Sequence, residues 1–187
     1  MPFYIRYRAC LLCGIILCLG VGAEAQSMDD PMAEKVKILT MSVMSPAVRK
    51  GRALPATYTC AGDDENPPIL VRHIPLNAKS LVIVIDSKVG VQTRVNWAVY
   101  NIPVTPTGMV KVPRYSVPGQ EAKNSSQRQR YTGPCLTKDE RATVAIKAYA
   151  LKNMLRLPAD ATAGLLARAM KDQVVAKARL LTTAVGQ

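Results

Sequence analysis

The sequence predicts one mainly-β domain, a sandwich of antiparallel sheets with short helices near the C-terminus. Strand-length apolar or alternating runs recur from residue 36 to residue 151, whereas helical spacing appears only after Asp160. No Pro/Gly/Ser-rich linker divides the 187 residues, a length that supports a single sizeable core. Aromatic residues make up 5% of the chain and the single Phe is Phe3, so that core must be built from Val, Ile, Leu, Met and Ala.

The first 25 residues read as a targeting segment. Arg6 and Arg8 form a positive start, residues 9–21 are uncharged and apolar, and Ala23-Glu24-Ala25 places small residues where a signal peptidase reads. Cleavage is expected after Ala25, followed by a polar lead-in over 26–35 and the domain proper over 36–187. The alternative is an uncleaved anchor, but the apolar run falls short of the roughly 20 residues a spanning helix needs. Leu17 before Cys18 is too large for the usual lipoprotein signal. Cleavage removes Cys10, Cys13 and Cys18 and leaves Cys60 and Cys135, either a disulfide in an oxidising compartment or two buried thiols. No later segment is expected to span a membrane.

Alternation over 36–44, with Val36 and Ile38 on one face, predicts a first strand. Tyr58-Thr59-Cys60 is β-prone and runs into a loop over 61–68. Residues 69–74 resume a strand, and Pro75-Leu76-Asn77-Ala78 turns it. Residues 80–86 carry five consecutive apolar residues between polar ends, the pattern of a strand buried on both faces. Residues 95–102 form another strand. Pro103, Pro106, Pro113 and Pro118 break the next stretch into loops and short edge strands. Residues 119–130 read as a long exposed basic loop, and 143–151 as a strand. Asp160 is the expected N-cap of a helix from Ala161, with Leu165, Leu166, Ala169 and Met170 as its apolar stripe. A second short helix or turn over 172–176 and a closing strand over 178–185 complete the chain.

Several segments, in order, carry a resemblance. Tyr58-Thr59-Cys60-Ala61-Gly62 with Asn66-Pro67-Pro68-Ile69, Lys79-Ser80-Leu81 leading to Asp86, Asn96-Trp97-Ala98-Val99-Tyr100-Asn101-Ile102-Pro103, Tyr131-Thr132-Gly133-Pro134-Cys135, and Tyr149-Ala150-Leu151 with Ala169-Met170 are similar to the pattern of the phosphatidylethanolamine-binding protein (PEBP) family. The chain resembles its bacterial Raf-kinase-inhibitor-like branch. The resemblance spans residues 36–183. It implies a Greek-key antiparallel β-sandwich with short C-terminal helices and a small anion pocket at one end. In the family that pocket takes phosphate-like head groups and is lined by a DPDAP turn, a His-Trp histidine, a GPC turn and a later His-Arg pair.

This chain departs from that pocket. Ala61 stands for the Asp of the first segment, Asp86-Ser87-Lys88-Val89-Gly90 for the DPDAP turn, Asn96 for the histidine, Glu140-Arg141 for the His-Arg pair, and Gln173 for a helix histidine. An anion pocket needs neutral or positive donors and turns that aim N–H groups inward. Asn96 can donate but not carry charge, and Glu140 would repel an anion, while Lys88 or Arg141 could offset it. The resemblance therefore implies a degenerate ligand site, with Asp86, Asn96, Tyr131, Gly133 and Arg141 as candidate ligand-binding residues.

The only histidine, His73, lies far in sequence from Cys60 and Cys135, and no phosphate-binding Gly-rich loop is present, so no enzyme is expected. One histidine and two cysteines do not make a metal centre, and no cofactor is expected. The net charge of +12 favours acidic partners such as phospholipid head groups or acidic protein surfaces. Export removes nucleic acid as a partner and a cytoplasmic kinase as a target. The expected function is that of an exported, non-enzymatic binding protein, periplasmic or secreted, for a small anionic ligand or a protein partner. The alternative is a scaffold or interaction protein of an envelope assembly that keeps the fold without the pocket and docks through the basic loop 123–130. Either a monomer or a homodimer fits the sequence.

Overall fold

The computed structural model describes residues 40–49 and 52–186. The expected signal, the lead-in, and residues 36–39 of the first strand lie outside the described residues.

Two antiparallel sheets pack face to face. The smaller is ordered β1-β2-β5, from Ser42–Met44, Ile69–Arg72 and Val110–Val112. The larger is ordered β6-β4-β3-β7-β8, from Gln120–Glu121, Gln92–Pro103, Ser80–Val89, Arg141–Leu151 and Val174–Val185. The chain crosses from β2 into the β3–β4 hairpin, returns for β5, and then completes the large sheet. One helix, α1 (Ala163–Ala169), precedes β8. This is the antiparallel sandwich the sequence predicts.

β3 explains the architecture. Leu81, Ile83 and Ile85 point between the sheets and meet Ile69, Val71 and Val112 there. Val82 points the other way, into a second cluster with Ala98, Tyr100, Leu151, Leu166 and Met170, where α1 covers the sheet. An uninterrupted apolar run is what such a strand requires, since neither face meets water.

Several boundaries differ from expectation, each for a local reason. The stretch at Tyr58 is not extended: Ala56–Tyr58 is a 3-10 turn, and the Thr59 hydroxyl donates to the Ala56 carbonyl. The helix is capped by Thr162 rather than Asp160, because the Thr162 hydroxyl accepts the Leu165 N–H. Of the short helix or turn expected over 172–176, a turn forms at 171–173, and β8 begins at Val174, paired with Leu151, rather than at Ala178. Leu166 and Met170 are buried as expected of the apolar stripe, but Leu165 is only half-buried.

The largest revision concerns Asp86-Ser87-Lys88-Val89-Gly90. Without prolines, Ser87, Lys88 and Val89 keep their ladder bonds, so β3 continues to Val89. The turn shifts to Gly90-Val91. Gly90 has φ +54°, a conformation that disfavours any side chain there.

Cys60 and Cys135 are bonded to each other, with Cα atoms 5.2 Å apart. The bond ties the turn after Tyr58 to the segment before β7, closing a loop with sequence separation 75. Loop-closure entropy for that length is about 4 kcal/mol, a large share of a typical domain's stability. Reduction, or the double change Cys60→Ala with Cys135→Ala, is expected to lower the urea midpoint correspondingly. An unchanged midpoint would show that these cysteines are not a structural bond.

Candidate functional site

A polar cavity of about 270 Å³ opens at the end of the sandwich where the β3–β4 hairpin meets residues 126–140. The hairpin register builds one wall. Ser87 pairs with Arg94 and Val89 with Gln92, so all four side chains share the face that lines the cavity. Thr132, Gly133, Pro134, Cys135 and Leu136 form the opposite wall, and Ser126 and Glu140 lie at its ends.

Asn96 lines the cavity because the ladder is interrupted at that point. Ile85 pairs with Trp97, but Asp86 pairs with Val95, leaving Asn96 as the extra residue of a β-bulge. A bulge re-aims one side chain without ending the strand. The Asn96 Nδ2 donates to the Thr132 carbonyl at 2.8 Å, while its buried Oδ1 has no protein partner. A second irregularity lies between Leu81 and Ile83, opposite Asn101, which has φ +57°. Asn101 exchanges two side-chain hydrogen bonds with the backbone of Leu155 there.

Asn124 organises the segment that holds this wall. Its Nδ2 donates to the Asn96 and Arg130 carbonyls and to the Thr132 hydroxyl. Its Oδ1 accepts the N–H groups of Ser126 and Arg128. The loop expected to be wholly exposed is thus anchored: Ala122 and Asn124 are buried, while Gln120 and 125–130 face solvent. Sequence reasoning passed over Asn124, since a single Asn in a polar, basic stretch has no pattern to mark it.

The five candidate residues separate. Asn96 and Gly133 line the cavity. Asp86 points to the opposite face of β3 from Ser87 and forms an ion pair with Lys147. Tyr131 is buried behind the wall, its hydroxyl donating to the Tyr58 carbonyl at 2.6 Å and its ring edge-on to Trp97. Arg141 is exposed at the start of β7 and does not line the cavity; its neighbour Glu140 does. Lys88 is also outside it, and Arg94 is the cation at the mouth. Arg94 was legible only through the hairpin register, which depends on the turn being at Gly90.

At Thr132 and Gly133 the backbone N–H groups are already engaged. Thr132 N–H donates to the Asn96 carbonyl and Gly133 N–H to Asp64 Oδ1. A Cβ at Gly133 would lie 2.7 Å from the Tyr58 carbonyl oxygen and the Thr59 Cα, so the glycine permits close packing of this turn on the 3-10 turn. Among the described residues no group of three or more His, Cys, Asp or Glu is placed to hold a metal ion, and no helix is long and apolar enough to cross a membrane.

The fold is a two-sheet antiparallel sandwich with a small polar cavity at its end. The phosphatidylethanolamine-binding protein profile matches residues 44–185, and the chain belongs to that family. UPF0098 proteins are among its relatives: one from Pyrococcus abyssi is 32% identical, covering 91% of this chain and 93% of the relative. Another from Pyrococcus horikoshii is 31% identical, covering 84% and 76%. A crystal structure of a PEBP homolog from Chlamydia trachomatis superposes with TM-score 0.72 at 25% identity, over 79% of this chain and 99% of that one. E. coli YbcL, described as a member of the mammalian PEBP family, shares the fold with TM-score 0.70 at 18% identity, over 80% and 100%. The family is one generally without catalytic activity.

Two predictions test this wall. Asn124→Ala deletes five hydrogen bonds at a buried point and is expected to cost about 3 kcal/mol. Faster amide exchange at Ser126 and Arg128 should accompany the loss, and unchanged exchange would deny Asn124 its role. Burial, with smaller contributions from Asp64 and Tyr58, holds the Tyr131 phenol well above its usual titration range. The folded state therefore favours the neutral phenol. Its contribution is complete below the unfolded tyrosine value, about 10, and is lost as pH rises through the higher folded value. Tyr131→Phe should flatten this alkaline loss of stability; an equally steep profile would assign it to other groups.

Proposed function

We propose that this protein is an exported, non-enzymatic binding protein of the periplasm or extracellular space whose cavity receives a small ligand with an anionic, phosphate-like group. One observation carries the reading: Asn96 of the Asn96-Trp97 segment and Gly133-Pro134-Cys135, distant in sequence, converge on the same cavity, with Arg94 supplying positive charge at its mouth. The ligand's anionic end lies against Arg94, where solvent still reaches it and the desolvation cost is small. Signal-like residues 1–25 support export, and family membership supports a binding role over catalysis.

Titration of the protein with phosphate, acetate and phosphoethanolamine tests the reading. Saturable binding by at least one, weakened about tenfold by Arg94→Ala, is the expected result. Arg141→Ala, outside the cavity, should leave binding unchanged. Absence of saturation in every arm would overturn the ligand reading and favour the scaffold alternative. Export is checked separately by expressing the full chain and sequencing the recovered N-terminus. Gln26 is the expected first residue, and an intact N-terminus would remove the cleaved-signal assignment.

A further inference from the structure

We propose that the open edge of β8 is a docking site for an extended, acidic segment of a partner protein, which joins the five-stranded sheet as a further strand. The polar cavity takes no part in this, and the proposal does not rest on the ligand reading above.

β8 is the outer strand of the larger sheet, with β7 along one side. The Thr183 carbonyl accepts the Leu54 N–H at 2.6 Å, beside a parallel bridge to Ala53, and so faces away from β7. That end of the edge is therefore already used for pairing. Backbone direction repeats every second residue in an antiparallel strand, so Leu181, Arg179 and Lys177 also turn their N–H and C=O groups outward. Among the described residues no backbone group meets them. On the inward side, Ala176, Ala178 and Leu180 pack against the core yet stay only half-buried at its rim.

The outward face of this edge is cationic, and neither β7 nor β8 contains a carboxylate. Lys177 and Arg179 pair in the ladder with Tyr149 and Lys147, and the four line one shallow depression. Arg179 directly opposes Lys147, a like-charge pair that costs stability unless it is answered. Asp86 answers Lys147. Among the described residues no carboxylate pairs with Lys177 or Arg179. An added strand with acidic side chains on that face and apolar ones beside Ala178 and Leu180 satisfies the charges, the open backbone groups and the half-buried rim together. A second copy of the chain does not. Antiparallel pairing about Ala178 sets Lys177 against the copy's Arg179, and cations on an edge guard against self-pairing of this kind. An anionic membrane would meet the cations and leave the edge N–H and C=O groups unmatched.

The test titrates the protein with labelled peptides of about seven residues that alternate Val with Glu or Val with Lys. The Val-Glu peptide should bind saturably, about tenfold more tightly than the Val-Lys peptide, and weaken as salt is added. Amide exchange at Lys177, Arg179 and Leu181 should slow in the complex. The paired changes Lys177→Glu and Arg179→Glu, both at exposed positions, should reverse the order of the two peptides, with the urea midpoint confirming that the variant is folded. Lys111→Glu, an exposed cation of the smaller sheet, should leave both affinities unchanged. A Val-Glu peptide N-methylated throughout keeps its charges and loses its donors; equal binding by it would mean attraction without strand pairing and would overturn the proposal. So would an unchanged peptide order in the folded charge-reversed variant. A dimer of the protein that dissociates on those two changes would give the edge to a second copy. Binding to phosphatidylglycerol vesicles with none to the Val-Glu peptide would give it to a membrane, and either result would overturn the assignment to a protein strand.

Discussion

The pairing of β3 with β4, interrupted once beside Asp86, is the constraint on which the site depends. β3 is buried on both faces, with Leu81, Ile83 and Ile85 between the sheets and Val82 under α1. A one-residue slip of such a strand would exchange the two sets and misfit both cores. The register is therefore strongly specified, and the extra residue at Asn96 must be accommodated as a bulge. The bulge lifts one polar side chain out of the ladder into the cavity. Asn124 then holds the Asn96 carbonyl and the Thr132 hydroxyl in one network, so the wall and the strand are positioned together.

The lack of proline between Asp86 and Gly90 shapes that end of the molecule. Where prolines would end pairing, Ser87, Lys88 and Val89 extend the ladder and carry the turn out to Gly90-Val91. The longer hairpin supplies Ser87, Val89, Gln92 and Arg94 to the cavity. Asp86, next to Ser87 along β3, points to the far face, where Lys147 neutralises it. The cavity built this way has Arg94 as its cation and Asn96 Oδ1 as its unmatched acceptor.

Much of the fold was legible in the sequence. The buried strand at 80–86, the strand at 143–151, and the order of many strands before one helix followed from periodicity, which reports burial directly. The short 3-10 turn at Tyr58 was not legible. Its geometry is set by the Thr59 hydroxyl and by packing against Gly133, while β-propensity at Tyr58-Thr59-Cys60 is a weak local preference. The helix start moved by two residues because Thr162 and Asp160 are both competent caps, and tertiary contacts chose between them.

What the sequence alone determined about this protein was its layering, its family and the segments from which a site is made. Apolar spacing decides which residues leave water, and that decision is largely local. Which of those segments' side chains face one another was decided only by tertiary structure. A single bulge and the position of one turn reverse the direction of a side chain, and both depend on pairing between strands rather than on the residue itself. Asn96 and Asp86, equally plausible candidates along the chain, part company for that reason.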